Sequence, residues 1–91
     1  MMARSVWLSR NASEALAHWR TADPALRDRI DSLIAAICDD PDGTVGWPVR
    51  LKIARAVSDE ALWSRSLRGP HRLVYKLTAT RLVVHQCRYW Y

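Results

Sequence analysis

The dipeptide Asp23–Pro24 leaves this chain the least freedom. Asp23 can cap a helix by accepting a backbone N–H, and Pro24 suits the first helical position, where its missing N–H costs nothing. Before it, Ala12, Ala15, Leu16 and Trp19 fall on one face of a helix that ends near Thr21. After it, Leu26, Ile30, Leu33, Ile34 and Ile37 form one apolar stripe on a helix of about four turns. Asp39–Asp40–Pro41–Asp42–Gly43 stops that helix. With almost nothing between them, the two helices must form an antiparallel hairpin. Its apolar stripes then need a surface to cover.

The rest of the chain offers a sheet. Residues 3–8 have strand propensity, carried by Val6, Trp7 and Leu8. Asn11 and Glu14 resemble a capping pair for the first helix, with Ser9 as a competing cap. Residues 48–53 read as a short strand or an extended loop, and 54–61 are ambiguous. Leu62–Arg68, His71–Thr78 and Arg81 to about Tyr89 read as strands, turned by Gly69–Pro70 and by Thr78–Ala79–Thr80. Leu73, Tyr75 and Leu77 share one face of their strand, and Arg72, Val74 and Lys76 the other. Leu82, Val83 and Val84 make the last strand apolar on both faces, which suits a central position. The expected fold is a single two-layer α+β domain over residues 1–91: an N-terminal strand and a helical hairpin packed on a mainly antiparallel, four- or five-stranded sheet. The sheet face away from the helices is expected to carry Arg65 and Arg72, with Lys76 beside them, as a basic surface.

Charge divides the same way. Residues 1–45 hold 5 basic and 7 acidic groups, while residues 46–91 hold 9 basic and 2 acidic groups. Any anion-binding face therefore belongs to the second half. A phosphate partner there would bind in a salt-dependent way. Phe is absent, but there are five Trp and three Tyr, and each buried Trp needs a partner for its N–H.

Several classes are disfavoured. No apolar run approaches the roughly 20 residues of a membrane span, and the start lacks the pattern of a signal peptide. Cys38 and Cys87 lie far apart without metal-ligand spacing, as expected of reduced thiols in a cytoplasmic protein. There are no repeats, glycine-rich phosphate loops, zinc-finger spacings or Ser–His–Asp arrangements.

Three segments together are more specific. Leu62–Trp63–Ser64–Arg65, His71–Arg72–Leu73–Val74–Tyr75 and the terminal Cys87–Arg88–Tyr89–Trp90–Tyr91 resemble the Txe/YoeB family of type II toxins, within the RelE/ParE superfamily. The opening strand, the Trp-bearing first helix and the Asp-Pro start of the second also fit, so the resemblance covers nearly the whole chain. It implies a RelE-like fold. It also implies a ribosome-dependent endoribonuclease that cuts messenger RNA in the A site of the 70S ribosome. The expected partners are a cognate antitoxin and, through it alone, operator DNA, with a dimer inside the toxin–antitoxin complex and no membrane.

The implied chemistry is attack of a ribose 2′-hydroxyl on the adjacent phosphate. It calls for a base, an acid and cationic donors for the phosphorane charge, and for no metal or other cofactor. The resemblance assigns Arg72 as phosphate clamp, with Lys52 and Tyr91 as further catalytic groups. Three positions depart from the family pattern. Val49 stands where a glutamate base is expected, Trp90 where a histidine acid is expected, and Pro70 where a second glutamate occurs. The segment between Lys52 and Leu62 is also longer than usual. Valine cannot accept a proton, and tryptophan can stack on a base but not protonate a leaving group.

Glu60, His71 and His85 are candidate substitutes as acid or base. Arg65, Arg88, Arg50, Trp90 and Tyr89 are candidate RNA or phosphate contacts. The alternative reading is a toxin-fold protein with weak or lost cleavage that still binds ribosome, RNA and antitoxin. A ParE-like gyrase inhibitor is a more distant one.

Overall fold

The computed structural model describes residues 4–51 and 62–88. Its elements run β1 (Ser5–Leu8), α1 (Arg10–Ala22), α2 (Pro24–Asp39), β2 (Val49–Arg50), β3 (Leu62–Ser66), β4 (Arg72–Leu77) and β5 (Arg81–Gln86). The strands form one sheet in the order β1-β5-β4-β3-β2. β1 runs parallel to β5, and the other three pairings are antiparallel. The expected α+β two-layer fold is therefore present, with five strands. β5 lies between β1 and β4, as its apolar residues on both faces require.

Asp23 acts twice at the hairpin corner. Its backbone N–H bonds to Trp19 O to close α1, and its carboxylate accepts from Leu26 N at 3.1 Å to open α2. Arg68 adds an ion pair to Asp23 at 2.7 Å, tying the corner to the end of the sheet.

The start of α1 differs from the capping pair Asn11/Glu14. The N-cap is Ser9, whose hydroxyl accepts from Ala12 N at 3.1 Å and donates to His85 O at 2.7 Å. Ser9 N also bonds to Val84 O at 2.9 Å. Ser9 prevails because β1, running along β5, delivers it in extended conformation to the edge of that strand. There one hydroxyl can cap the helix and dock it, while Asn11 already lies inside the first turn.

The core is the helix–sheet interface. Ala12, Ala15, Leu16 and Trp19 of α1 and Leu26, Ile30, Leu33 and Ile37 of α2 pack on Leu73, Tyr75, Leu82 and Val84. Trp19 satisfies its indole N–H on Cys87 O at 3.1 Å. Cys87 itself is fully buried, and burial raises its thiol pKa to about 11. Among the described residues no helix is long and apolar enough to cross a membrane.

Candidate functional site

The tight turn at Gly69 decides what each face of the sheet presents. Gly69 has φ +59°, a left-handed conformation that glycine adopts without a Cβ penalty. Leu67 N bonds to His71 O across it at 3.0 Å. Pairing then proceeds symmetrically from the turn: Ser66 opposite Arg72, Arg65 opposite Leu73, Ser64 opposite Val74 and Trp63 opposite Tyr75. Directly paired residues share a face. Trp63, Arg65, Leu73 and Tyr75 therefore face the helices, and Ser64, Ser66, Arg72 and Val74 face away.

On this outer face Arg72 is held by two hydroxyls. Its Nε donates to Ser64 Oγ, and its NH1 donates to Ser66 Oγ at 3.0 Å. Ser64 is fully buried. NH2 donates to none of the described residues. Val49 of β2 is paired with Ser64, which places it beside this group and on the same face. Lys76 lies four residues beyond Arg72 on β4 and is paired with Val83. Further across, Arg81 lies 4.3 Å over the ring of Trp7, a half-exposed cation–π stack at the β1 edge. No described strand residue is acidic. All seven acidic residues among the described ones lie between positions 14 and 42, in and around the helices. Among the described residues, no strand carboxylate offsets the positive charges of the outer face.

Four expected site residues are placed elsewhere. Arg65 is a correction: it is completely buried on the helix face. Its Nε donates to Tyr75 Oη at 2.9 Å, NH1 to Val45 O at 3.0 Å and NH2 to Pro41 O at 3.1 Å. It fastens the loop after α2 onto β3, and strand alternation alone puts it opposite to Arg72. Arg50 is paired with Trp63, so Val49 and not Arg50 shares the face of Arg72. Arg88 lies 5.7 Å over the ring of Trp19, against the helix layer. His71 packs edge-on against the same ring at 4.7 Å, one residue out of phase with Arg72. Burial, then Arg88, lower its pKa.

His85 is different. It is the extra residue where the pairing of β4 and β5 slips, between Val84 opposite Tyr75 and Gln86 opposite Val74. Its Nε2 is buried and has no hydrogen-bond partner among the described residues. Burial first, then the charge of Lys76, lower its pKa, so the ring is neutral at neutral pH. Lys52, Glu60, Tyr89, Trp90 and Tyr91 lie outside the described residues. No group of three or more His, Cys, Asp or Glu among the described residues could hold a metal ion.

Sequence reading missed Ser64 and Ser66. Their signal was present: two hydroxyls at strand spacing, as far before Gly69 as Arg72 and Val74 lie after it. Counting outward from the turn would have paired them, and would also have turned Arg65 inward.

Comparison with known proteins agrees with this fold. A family model described as YoeB-like toxin of bacterial type II toxin–antitoxin system matches residues 8–91. A toxin YoeB from Streptomyces coelicolor is 42% identical over 78 residues, covering 86% of this chain and 88% of the relative. A toxin RelK from Mycobacterium tuberculosis is 33% identical over 88 residues, covering 97% and 99%. Among solved structures, a YoeB/ParE toxin from Agrobacterium tumefaciens superposes with a TM-score of 0.81 at 29% identity, covering 96% of this chain and 99% of that one. A heterotetrameric YoeB–YefM toxin–antitoxin complex from Staphylococcus aureus contains a chain that matches with a TM-score of 0.76 at 25% identity, covering 97% and 98%.

Proposed function

The chain belongs to the YoeB-like toxins of bacterial type II toxin–antitoxin systems, and from that membership we propose that it is an endoribonuclease that cuts messenger RNA on the ribosome. The observation that carries the reading is Arg72, held on a sheet face whose described strand residues carry no carboxylate. A guanidinium there can clamp a phosphodiester through its planar fork and stabilise the extra charge of a phosphorane.

In the proposed reaction the ribose 2′-oxygen attacks the adjacent phosphorus and loses its proton. The bond to the 5′-oxygen breaks, and that oxygen takes up a proton. The products are a 2′,3′-cyclic phosphate and a 5′-hydroxyl end. Arg72 bears the charge, with Lys52 and Tyr91 as further contributors. His85 is one candidate proton carrier, since its ring is neutral and its Nε2 uncommitted among the described residues. Glu60 is the other candidate. We also propose inhibition by a cognate antitoxin, on the strength of the relative solved in complex with YefM.

One observation favours a second reading, a ribosome- and RNA-binding toxin that cleaves weakly. Val49 shares the face of Arg72 and is paired with Ser64, and at this position, where a glutamate base is expected, it offers no proton acceptor. Losing one positioned acid or base costs about 10²–10⁴ in rate. Mapping the ends of ribosome-bound messages separates the readings. The nuclease predicts cut messages with wild-type protein and intact ones with Arg72→Ala; growth arrest over intact messages favours the binder.

A further inference from the structure

We infer that Ser64 and Ser66 are positioning residues that aim the Arg72 guanidinium at the scissile phosphate. This rests on the nuclease reading above. Ser66 is the direct cross-strand partner of Arg72, and Ser64 is its diagonal neighbour two residues away, within reach of a long side chain. They take Nε and NH1, two different nitrogens of one planar group. Two fixed points stop both rotation of the guanidinium plane and swinging of the side chain. The remaining N–H donors meet no acceptor among the described residues and suit an anion.

The chemical choice matters as much as the geometry. A carboxylate at either position would hold the guanidinium equally well, but as an ion pair that spends its charge before a phosphate arrives. A neutral hydroxyl fixes direction and leaves the charge available. Ser64 is fully buried, so its hydroxyl depends on a protein partner, and Arg72 Nε supplies one. The platform beneath is rigid. Arg65, between the two serines, is clamped to Tyr75, Val45 and Pro41 on the opposite face. Ser66 N bonds to Gly46 O at 2.7 Å. Gly46 has φ +74°, and a Cβ there would lie 3.2 Å from Ser66 O, so the loop closes on β3 only with glycine.

Two measurements on the full chain test the inference. The first is the ¹⁵N spectrum of the Arg72 side chain. Wild type should show a slowly exchanging Nε–H, and Ser64→Ala should release it to rapid exchange while the backbone amide spectrum stays native. The second is single-turnover cleavage of ribosome-bound message. Ser64→Ala should lower the rate by about 10- to 100-fold, with affinity for a message blocked by a 2′-deoxy group within about twofold. Ser66→Ala should lower the rate less, and Ser66→Thr should restore it.

An unchanged Nε–H in Ser64→Ala, or full cleavage by the Ser64→Ala/Ser66→Ala double variant, overturns the inference. If Ser64→Ala does not fold, Ser66→Ala must accelerate rotation about the Arg72 Nε–Cζ bond, and failure to do so overturns it equally. Should wild type leave messages intact while Ser64→Ala still releases Nε–H, the nuclease reading falls and the serine clamp stands.

Discussion

Arg65 and Arg72 lie on adjacent strands, and their surroundings could hardly differ more. Arg65 faces the helices, is wholly buried and donates from three nitrogens to a tyrosine and two backbone carbonyls. Arg72 faces away, is half-buried and donates from two nitrogens to serine hydroxyls. The first guanidinium is a structural cross-brace, and every acceptor it meets belongs to the protein. The second is oriented by neutral groups and keeps its charge. What separates the buried brace from the outward-facing arginine here is not residue type, nor distance along the chain, but the parity of a strand position counted from the turn at Gly69.

The comparison breaks most easily at Arg65. Arg65→Ala orphans buried acceptors and opens a cavity, and should cost on the order of 3–5 kcal/mol, read from urea unfolding. If stability barely changes, Arg65 is not the brace described. Arg72→Ala should do the reverse. Cleavage of ribosome-bound message should fall by about 10²–10³, while stability read from urea unfolding falls by only about 1–2 kcal/mol, for the buried Ser64 hydroxyl left unpaired. A variant that unfolds would place Arg72 among the structural arginines.

A smaller effect sharpens the helix-covered side. Ser9→Ala removes both the cap of α1 and its bond to His85 O, and should cost about 1 kcal/mol. Asn11→Ala should stay within about 0.5 kcal/mol, so equal losses would reinstate the Asn11 cap. The smallest effect concerns acid. Burial and Lys76 hold the imidazole of His85 below its usual pKa of 6.5, so the folded chain prefers it neutral. That contribution is complete above 6.5 and is lost as pH falls through the lowered folded value. His85→Gln should therefore flatten the decline in stability on going from neutral pH to about pH 5. On the nuclease reading it should also move the acid limb of the cleavage profile, whereas His71→Gln, packed on Trp19, should leave that limb in place.

Much of the molecule could be read in advance because local rules and global packing agree. Asp23–Pro24, the stripe from Leu26 to Ile37, the Gly69–Pro70 turn and the doubly apolar β5 each have one good use, and the fold uses each that way. Strand alternation put Arg72 on the sheet face away from the helices, where the structure has it. Arg65 was misread because an arginine in the strand next to the proposed phosphate clamp looks like a second contact. The three acceptors that make it structural come from positions 41, 45 and 75, which only the folded chain assembles. The surroundings of Arg50 and Arg88 were not legible for a similar reason. One depends on the register of a two-residue strand, the other on how the chain leaves β5 beside Trp19.

Sequence alone determined the layers, the hairpin corner, the segregation of acidic helices from a basic sheet, and the family. The first three follow from periodicity, caps and composition, which act over a few neighbouring residues, and the family was legible through the resemblance of three short motifs. Tertiary structure alone decided which arginine is a brace and which is available, that Ser9 rather than Asn11 begins α1, and that two serines hold Arg72. Those outcomes depend on cross-strand register and on hydrogen-bond acceptors distant in the chain, and neither exists until the sheet has formed.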